Sequence, residues 1–204
     1  PALCFKMCRL LFLSVLQSHQ QSGRFHLGLS LNLSRFQQQH QGKIMSTLLD
    51  LKDKTAAVIG ASSGIGRAVS LLLAEHGANV VLCARRTDKL EETAALIRAQ
   101  GGRAVTVAGD AVLPETHETV VRTAQREFGG LDIAINNAGT LGAYKPLAEL
   151  SPEEWRATLD GNLTAAFLGA RSQIPAMLAR GGGAMVFTSS FVGTSCALPN
   201  MGAY

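Results

Sequence analysis

A glycine-rich turn carries the clearest chemical signal in the sequence. Gly60, Gly64 and Gly66 follow the pattern Gly-x-x-x-Gly-x-Gly, between the apolar run 55–59 and a segment with helical spacing. Glycines let the main chain turn tightly and approach a pyrophosphate, which the free N–H groups at a helix N-terminus then bind. A Walker phosphate loop is excluded because no Gly-Lys-Ser/Thr follows. The residues of this turn that we predict to contact a dinucleotide are Gly60, Ser62, Ser63, Gly64, Ile65 and Gly66.

Two arginines follow the next apolar run, at a point where dinucleotide sites usually have an acid. The run ends in Cys83-Ala84, and Arg85 and Arg86 come next. A carboxylate at this point binds the ribose 2′-hydroxyl of NAD, whereas guanidinium groups favour a 2′-phosphate. The pair therefore predicts NADP(H) as the cofactor. A pair of solvated arginines at the start of a helix is the alternative interpretation.

Polar and small residues follow the third and fourth apolar runs. Asp110 comes after the third run, where it can accept a hydrogen bond from an adenine amino group or simply begin a turn. The fourth run is followed by Asn136-Asn137-Ala138-Gly139. Two amides and two small residues suit a main chain that lies against a flat ligand, with an amide that ties neighbouring strands together. The residues predicted to contact the cofactor here are Asp110, Ala111, Asn137, Ala138 and Gly139.

These residues need a fold that brings the ends of several strands together. Apolar runs predict buried strands at 55–59, 79–84, 104–108, 131–136 and 184–188. Helical spacing predicts helices at 64–76, 87–100, 114–128 and 152–179, and Ser151 with Glu154 predicts a capping box at the start of the last one. The alternation predicts an α/β fold with a doubly wound parallel sheet of the Rossmann type, in which ligands bind beyond the carboxyl ends of the strands.

Composition and charge exclude several other classes of protein. The 204 residues are 47% hydrophobic and 17% charged, as in globular proteins. Residues 1–49 hold five basic residues and no acid, whereas the remainder has 14 basic and 15 acidic residues, so we expect no nucleic-acid binding. The sequence has no run of 18 apolar residues, and we expect no membrane span. Its four cysteines are too scattered for a disulfide framework or a zinc site, and we expect no metal.

The first 44 residues differ in composition from the rest of the chain. They contain the apolar stretch 10–16 with Lys6 and Arg9 before it, which is typical of a secretory signal. The absence of acids is equally typical of a mitochondrial transit segment, and a third interpretation is upstream sequence that is translated before Met45. We expect a leader at 1–44 that is poorly ordered or only locally helical. Residues 45–204 carry no targeting signal, so the expected location is the cytoplasm.

From about Leu51 to the end, the sequence resembles the short-chain dehydrogenase/reductase family. The resemblance rests on the glycine turn, on Asn136-Asn137-Ala138-Gly139, on Asn162 within Asp160-Gly161-Asn162-Leu163-Thr164, and on Ser189-Ser190 ahead of Tyr204. Trp155 also fits the family pattern. Each motif alone is weak, but together and in order they are specific. The resemblance implies hydride transfer between NADP(H) and a small carbonyl or alcohol substrate.

The family's catalytic roles correspond to three residues of this sequence. The resemblance implies that Ser190 binds the substrate oxygen, that Tyr204 donates or accepts the proton, and that Asn162 holds a water in the proton relay. Ser190 is preferred to Ser189 because Ser190-Phe191-Val192-Gly193 matches the family's Ser-x-x-Gly.

The sequence departs from the family at its end. The family motif is Tyr-x-x-x-Lys, and the lysine binds the nicotinamide ribose, but this sequence ends at Tyr204. We therefore expect a Rossmann domain without its C-terminal part, inactive and marginally folded as a 204-residue chain, from a parent that forms a homodimer or homotetramer. The alternative is a non-catalytic dinucleotide-binding module or a regulatory fragment. A methyltransferase is disfavoured because its site usually has an acid after the second strand that binds a ribose, and this sequence has Arg85 and Arg86 there.

A few further residues are predicted to have no chemical role. His76 and His117 lie in predicted helices without partners at metal-ligand spacing, and we expect both at the surface. Cys83 lies in a predicted buried strand, where a cysteine acts as a small hydrophobic residue.

Overall fold

The structure is a computed structural model, and it describes residues 50–192 and 198–204. Five strands lie within these residues: β1 (Thr55–Ile59), β2 (Asn79–Ala84), β3 (Ala104–Ala108), β4 (Ile133–Asn136) and β5 (Ala184–Phe187). Five α-helices connect them: α1 (Gly64–Glu75), α2 (Thr87–Ala99), α3 (Pro114–Phe128), α4 (Pro152–Leu159) and α5 (Ala165–Leu178). The predicted elements agree with these bounds to within two residues, except for the last helix. The expected leader and the expected domain start at residue 45 lie outside the described residues.

All neighbouring strands pair in parallel, in the order β3-β2-β1-β4-β5. The chain therefore moves outward from β1 to β3 and then returns to the other side of β1 with β4. A crevice forms at such a reversal of strand order, at the carboxyl ends of the two strands on either side of it. The predicted doubly wound Rossmann sheet is confirmed.

The two faces of the sheet are both buried in its centre. Every residue of β1 is buried, and so are the four middle residues of β2. Alternate residues of these strands, Ala57, Ile59, Val81 and Cys83, form one core with α3 and α5, where Val120 and Met177 pack. The intervening residues face the layer in which α1 contacts α2. This burial on both faces explains the continuous apolar runs in the sequence.

The long helix predicted at 152–179 is wrong as a single α-helix. It consists of α4 and α5 joined by a π-helical segment, Asp160–Thr164. Single-turn π segments of this kind are frequent at functional sites. Within the segment, both amide atoms of the Asn162 side chain bond to the main chain of Thr140, and a Cβ at Gly161 would lie 2.9 Å from the Thr140 side chain. The helix thus widens where it packs against the loop that follows β4.

The start of α4 agrees with its predicted signal. Ser151 Oγ accepts a hydrogen bond from the Glu154 N–H at 3.2 Å, and Glu154 Oε2 accepts one from the Ser151 N–H at 2.8 Å. The capping box is therefore confirmed. In the described ranges, no helix is both long enough and apolar enough to cross a membrane.

Candidate active site

A cleft of about 820 Å³ lies at the carboxyl ends of the five strands. Residues that follow each of the strands line it, as the doubly wound topology requires. All the predicted site residues line this cleft except Gly66 and Ser190. We name the two ends of the cleft after the ligands that the sequence predicts for them. The nucleotide end is formed after β1, β2 and β3, and the substrate end is formed after β4 and β5 and along the segment from α4 to α5.

The glycine turn at the nucleotide end is held by main-chain contacts. Gly60 has a positive φ of 88°, and its N–H donates to the Cys83 carbonyl at 2.8 Å. A Cβ at Gly60 would lie 2.8 Å from the main-chain nitrogen of Ala138, so no side chain fits there. Gly66 is packed even more closely, because a Cβ on it would overlap the Gly60 carbonyl oxygen. Gly66 therefore allows α1 to pack closely against the turn. It does not line the cleft.

At Gly64 the main-chain conformation, and not close packing, favours glycine. Its φ is +54°, and a Cβ there would meet no atom within 4 Å. The turn is thus open on the side where α1 begins, and Gly64 and Ile65 of the first helical turn line the cleft beside Ser62 and Ser63. Open space above a helix N-terminus suits a pyrophosphate.

The two arginines after β2 have different partners. Arg86 donates to both hydroxyls of the glycine turn, to Ser62 Oγ at 3.1 Å and to Ser63 Oγ at 2.8 Å. Arg85 is exposed, and its Nη1 lies 3.8 Å from Asp110 Oδ2. A guanidinium group beside two hydroxyls forms a cluster of hydrogen-bond donors at the place where an adenosine ribose is expected.

Asp110 opens the turn after β3. Its Oδ1 accepts a hydrogen bond from the Val112 N–H at 3.3 Å, so Asp110 begins a turn, which is the simpler of the two roles predicted for it. Both Asp110 and Ala111 line the cleft. Contact with adenine remains a prediction for them.

The two adjacent asparagines after β4 make contacts with different elements. Asn137 Oδ1 accepts from Thr188 Oγ1 at 2.9 Å and thereby ties the end of β4 to the end of β5, as expected of an amide at this point. Asn136 is buried and pairs reciprocally with Gln173 of α5, at 2.9 and 3.1 Å. A Cβ at Gly169 would overlap Asn136 Oδ1, so this glycine makes room for the amide pair. Thr188 and Gln173 are not singled out by the sequence pattern.

Asn162 is held firmly at the substrate end. Its Oδ1 accepts from the Thr140 N–H and its Nδ2 donates to the Thr140 carbonyl, both at 2.9 Å. An amide has two further hydrogen-bonding positions, one on each atom, that these bonds leave over. Contacts with the protein main chain alone thus fix the orientation of the Asn162 side chain.

Tyr204 reaches the same end of the cleft through a second chain segment. Met201 forms a parallel bridge with Lys145, and a Cβ at Gly202 would lie 3.0 Å from Leu147 Cδ1. These contacts place the Tyr204 side chain, which is 39% exposed, in the cleft wall.

The neighbouring serines have different positions. Ser189 lines the cleft, whereas Ser190 Oγ accepts from the Val192 N–H at 3.2 Å in a turn beside it. Gly193, which completes the motif that favours Ser190, lies outside the described residues. The catalytic assignment of Ser190 therefore stays a prediction from its spacing.

Two titratable residues near the nucleotide end are buried. The predicted burial of Cys83 is confirmed. Burial, followed by the negative charge of Asp110, raises the pKa of its thiol to about 12, which favours the protonated form. His117 is fully buried, so its expected surface position is wrong. Its Nε2 lies 2.7 Å from the Ala111 carbonyl, and burial lowers its pKa although that hydrogen bond acts in the opposite direction. Helical spacing could have revealed the burial, because His117 precedes Val120 by three residues and Ala124 by seven and so shares the buried face of α3. The contact with Ala111 is shown only by the structure.

The sequence and the structure of this chain are both similar to those of known proteins. A family model described as short chain dehydrogenase matches residues 54–204. A cyclohexanol dehydrogenase from Acinetobacter sp. strain SE19 is 40% identical over 151 residues, which is 74% of this chain and 59% of that protein.

Two solved structures are similar in fold and in sequence. A 3-ketoacyl-ACP reductase from Sinorhizobium meliloti 1021 matches with a TM-score of 0.72 and 38% identity, over 74% of this chain and 59% of that one. An L-sorbose reductase from Gluconobacter frateurii, solved with NADPH and L-sorbose, matches with a TM-score of 0.66 and 39% identity, over 70% and 54% of the two chains. The chain thus spans less than two thirds of the length of these relatives.

Proposed function

The chain belongs to the short-chain dehydrogenase family of oxidoreductases, and from that premise we propose that the whole protein transfers hydride between NADP(H) and a small carbonyl or alcohol substrate. The observation that supports this proposal most directly is the single cleft. It joins a glycine turn built for a pyrophosphate to an end that contains Asn162 and Tyr204.

The described residues fit a dinucleotide at the nucleotide end. Gly60 and Gly64 provide a turn without side chains, and the N-terminus of α1 provides N–H donors for the pyrophosphate. Main-chain atoms of Ala138 and Gly139, and the turn at Asp110 and Ala111, border the remainder of the nucleotide. When bound, the nicotinamide supplies or accepts the hydride.

The preference for NADP(H) over NAD(H) rests on Arg86. Its guanidinium group already bonds to Ser62 and Ser63, so it stands beside the turn with further N–H groups available for a 2′-phosphate. Arg85 adds a second positive charge, and its ion pair with Asp110 leaves no unpaired carboxylate in this part of the described cleft wall. The L-sorbose reductase, which is similar in structure, was solved with NADPH.

The substrate end supplies the proton chemistry in this proposal. Tyr204 transfers a proton to or from the substrate oxygen, Ser190 donates a hydrogen bond to that oxygen, and Asn162 holds a water in the relay. The two hydrogen bonds between the Thr140 main chain and the Asn162 amide orient the amide for this role. Such preorganisation avoids reorganisation of polar groups during the reaction.

Tyr204→Phe in the full-length protein tests the catalytic proposal. This change removes only the phenolic oxygen, so we expect turnover to fall by about 10²–10⁴-fold while NADPH affinity stays nearly the same. The measurements are steady-state turnover and a fluorescence titration with NADPH. Tyr144→Phe is the matched control, because Tyr144 is 64% exposed and lies outside the cleft wall. Unchanged turnover in Tyr204→Phe would contradict the catalytic role of Tyr204. A full-length protein that binds NADPH but shows no turnover without any substitution would favour a non-catalytic dinucleotide-binding module.

Replacement of Arg85 and Arg86 by alanine tests the cofactor proposal. The loss of charge-assisted hydrogen bonds, each worth about 1.5–3 kcal/mol, should weaken NADPH binding by at least about 10-fold and leave NADH binding nearly unchanged. Arg122→Ala removes an exposed arginine of α3 outside the cleft and serves as the control. Equal weakening of both cofactors would contradict the 2′-phosphate assignment.

The whole protein is also proposed to be a homodimer or homotetramer. The outer face of α5 carries exposed apolar residues at helical spacing, Phe167, Ile174 and Leu178. A stripe of this kind on a helix surface is typical of an interface between subunits.

A further inference from the structure

We propose that His117 is a positioning residue for the cofactor, because it stabilises the turn after β3, where the adenine of the dinucleotide is expected to bind. His117 does not line the cleft, and it contacts the turn at the Ala111 carbonyl. The inference rests on the proposed dinucleotide-binding function of the cleft. It gives a buried histidine of α3 a role in cofactor affinity that no motif of the sequence indicates.

The turn after β3 needs support from outside the sheet. Its residues 109–112 all line the cleft, and β3 is an edge strand of the described sheet. The Gly109 N–H donates to the Ala84 carbonyl at 3.0 Å, which joins the start of the turn to β2. The ion pair of Asp110 with Arg85 adds little, because it is 3.8 Å long and both side chains are exposed. Most of the support for the turn therefore comes from α3, the helix that follows it.

Two adjacent residues of α3 provide this support. His117 is fully buried, and its Nε2 lies 2.7 Å from the Ala111 carbonyl oxygen. A Cβ at Gly109 would lie 2.6 Å from both Cγ2 and Oγ1 of Thr116, so the main chain of Gly109 packs directly on that side chain. The two contacts fix the turn on either side of Asp110.

The imidazole of His117 is the donor in its hydrogen bond. A carbonyl oxygen only accepts, so Nε2 carries the proton. The other ring nitrogen, Nδ1, is buried and has no hydrogen-bond partner among the described residues, and burial lowers the pKa of His117. Both observations favour the neutral ring, because a second N–H at Nδ1 would be buried without an acceptor. His117 thus directs a single donor at one main-chain oxygen of the cleft wall.

The supported turn borders a part of the cofactor that NADPH and NADH share. The adenine ring is the same in both, whereas the 2′-phosphate is present only in NADPH. Loss of the support should therefore weaken the binding of both cofactors, in contrast to the replacement of Arg85 and Arg86. Turnover at saturating cofactor should change little, because other residues form the end of the cleft where Asn162 and Tyr204 lie.

Variants of His117 in the full-length protein test the inference. His117→Leu removes the donor but keeps an apolar side chain in the buried site, and we expect Kd and KM for both cofactors to rise by at least about 5-fold with kcat nearly unchanged. His117→Gln restores a donor at a similar distance from the main chain and should recover most of both affinities.

Leu131→Ala is the matched control for lost packing. Leu131 is buried in the core that includes Val120 of α3, but it precedes β4 and so lies at the end of the sheet opposite the cleft. The truncation should lower the melting temperature and leave the affinity for both cofactors unchanged.

The possible results separate the inference from the function on which it rests. Wild-type affinities in His117→Leu, or a loss that His117→Gln does not reverse, would overturn the positioning role and leave the dinucleotide-binding function intact. Weakening of NADPH alone would also overturn it, because the turn would then not act through the shared adenine. Failure of the unsubstituted protein to bind either cofactor would overturn both.

The packing of Gly109 on Thr116 gives an independent test that does not alter His117. Gly109→Ala adds a Cβ that meets Cγ2 and Oγ1 of Thr116 and so forces the turn away from α3. We expect Kd for both cofactors to rise by at least about 5-fold, and Thr116→Ala in the same protein, which removes those two atoms, to restore most of the affinity. A double variant that binds both cofactors as weakly as Gly109→Ala would overturn the dependence of cofactor affinity on the contact between this turn and α3.

Discussion

The two ends of the cleft are constructed from different kinds of contact. At the nucleotide end, the turn after β1 is held by main-chain atoms, with Gly60 bonded to Cys83 and Gly66 packed on Gly60. At the substrate end, side chains from distant parts of the sequence hold the loops together. Thr140 and Asn162 are 22 residues apart, and Asn137 and Thr188 are 51 apart.

The strands at the two ends of the cleft also differ in burial. Every residue of β1 is buried, whereas Ala184 and Phe187 of β5 are exposed, and β5 is an edge strand of the described sheet. The nucleotide end therefore includes β1 and β2, which are buried over most of their length, although β3 at this end is also an edge strand. Local sequence specifies its glycine turn. The substrate end depends on long-range hydrogen bonds that form only when β4, β5 and α5 have packed.

The largest effect we expect is from Gly66→Ala at the nucleotide end. The added Cβ would overlap the Gly60 carbonyl oxygen and approach Asn137 Nδ2 to 2.9 Å, so the helix and the turn must separate. We expect the free energy of unfolding to fall by about 1–3 kcal/mol and NADPH binding to be lost. Thermal unfolding and an NADPH titration of the full-length protein measure the two effects.

Gly181→Ala is the matched control for this change. Gly181 also has a positive φ, of 90°, but a Cβ there would meet no atom within 4 Å, and the residue lies outside the cleft. Backbone strain alone should cost about 1–2 kcal/mol and leave NADPH affinity unaltered. If Gly66→Ala bound NADPH as tightly as this control, close main-chain packing would not be what forms the nucleotide end.

A double-mutant cycle on Asn136 and Gln173 tests the long-range contacts of the substrate end. Each single change to leucine leaves the partner's amide buried without its hydrogen bonds, and we expect a cost of about 1–3 kcal/mol in each case. The double change removes both amides, so its cost should be smaller than the sum of the two. We also expect the single variants to lose more turnover than NADPH affinity. Additive costs would show that the pair is not coupled.

The contrast between the two ends also explains how much the sequence predicts. The bounds of β1, β2 and β3, the glycine turn and the capping box at Ser151 could all be predicted, because each depends on a short pattern of residue types. The π-helical segment at Asp160–Thr164 could not, and its Asn162 bonds to Thr140 of another loop, which no short pattern indicates. The pairing of Asn136 with Gln173 could not be predicted for the same reason: only the packing of α5 on β4 brings the two amides together.

The smallest effect that we expect is the contribution of His117 to the pH dependence of stability. His117 lies near the nucleotide end, where its Nε2 is hydrogen-bonded to the Ala111 carbonyl. Its pKa is lowered in the folded protein, chiefly by burial, from an unfolded value of about 6.5. Between these two pKa values the unfolded chain binds more protons than the folded one, so stability should decrease as the pH falls below about 6.5 and the loss should be complete below the folded pKa. His117→Gln preserves a donor for the Ala111 carbonyl but cannot titrate, and we expect its melting temperature to fall less than that of the wild type between about pH 7.5 and pH 5.5. An equal fall in both proteins would mean that protonation of His117 does not contribute to the acid sensitivity of this end of the cleft.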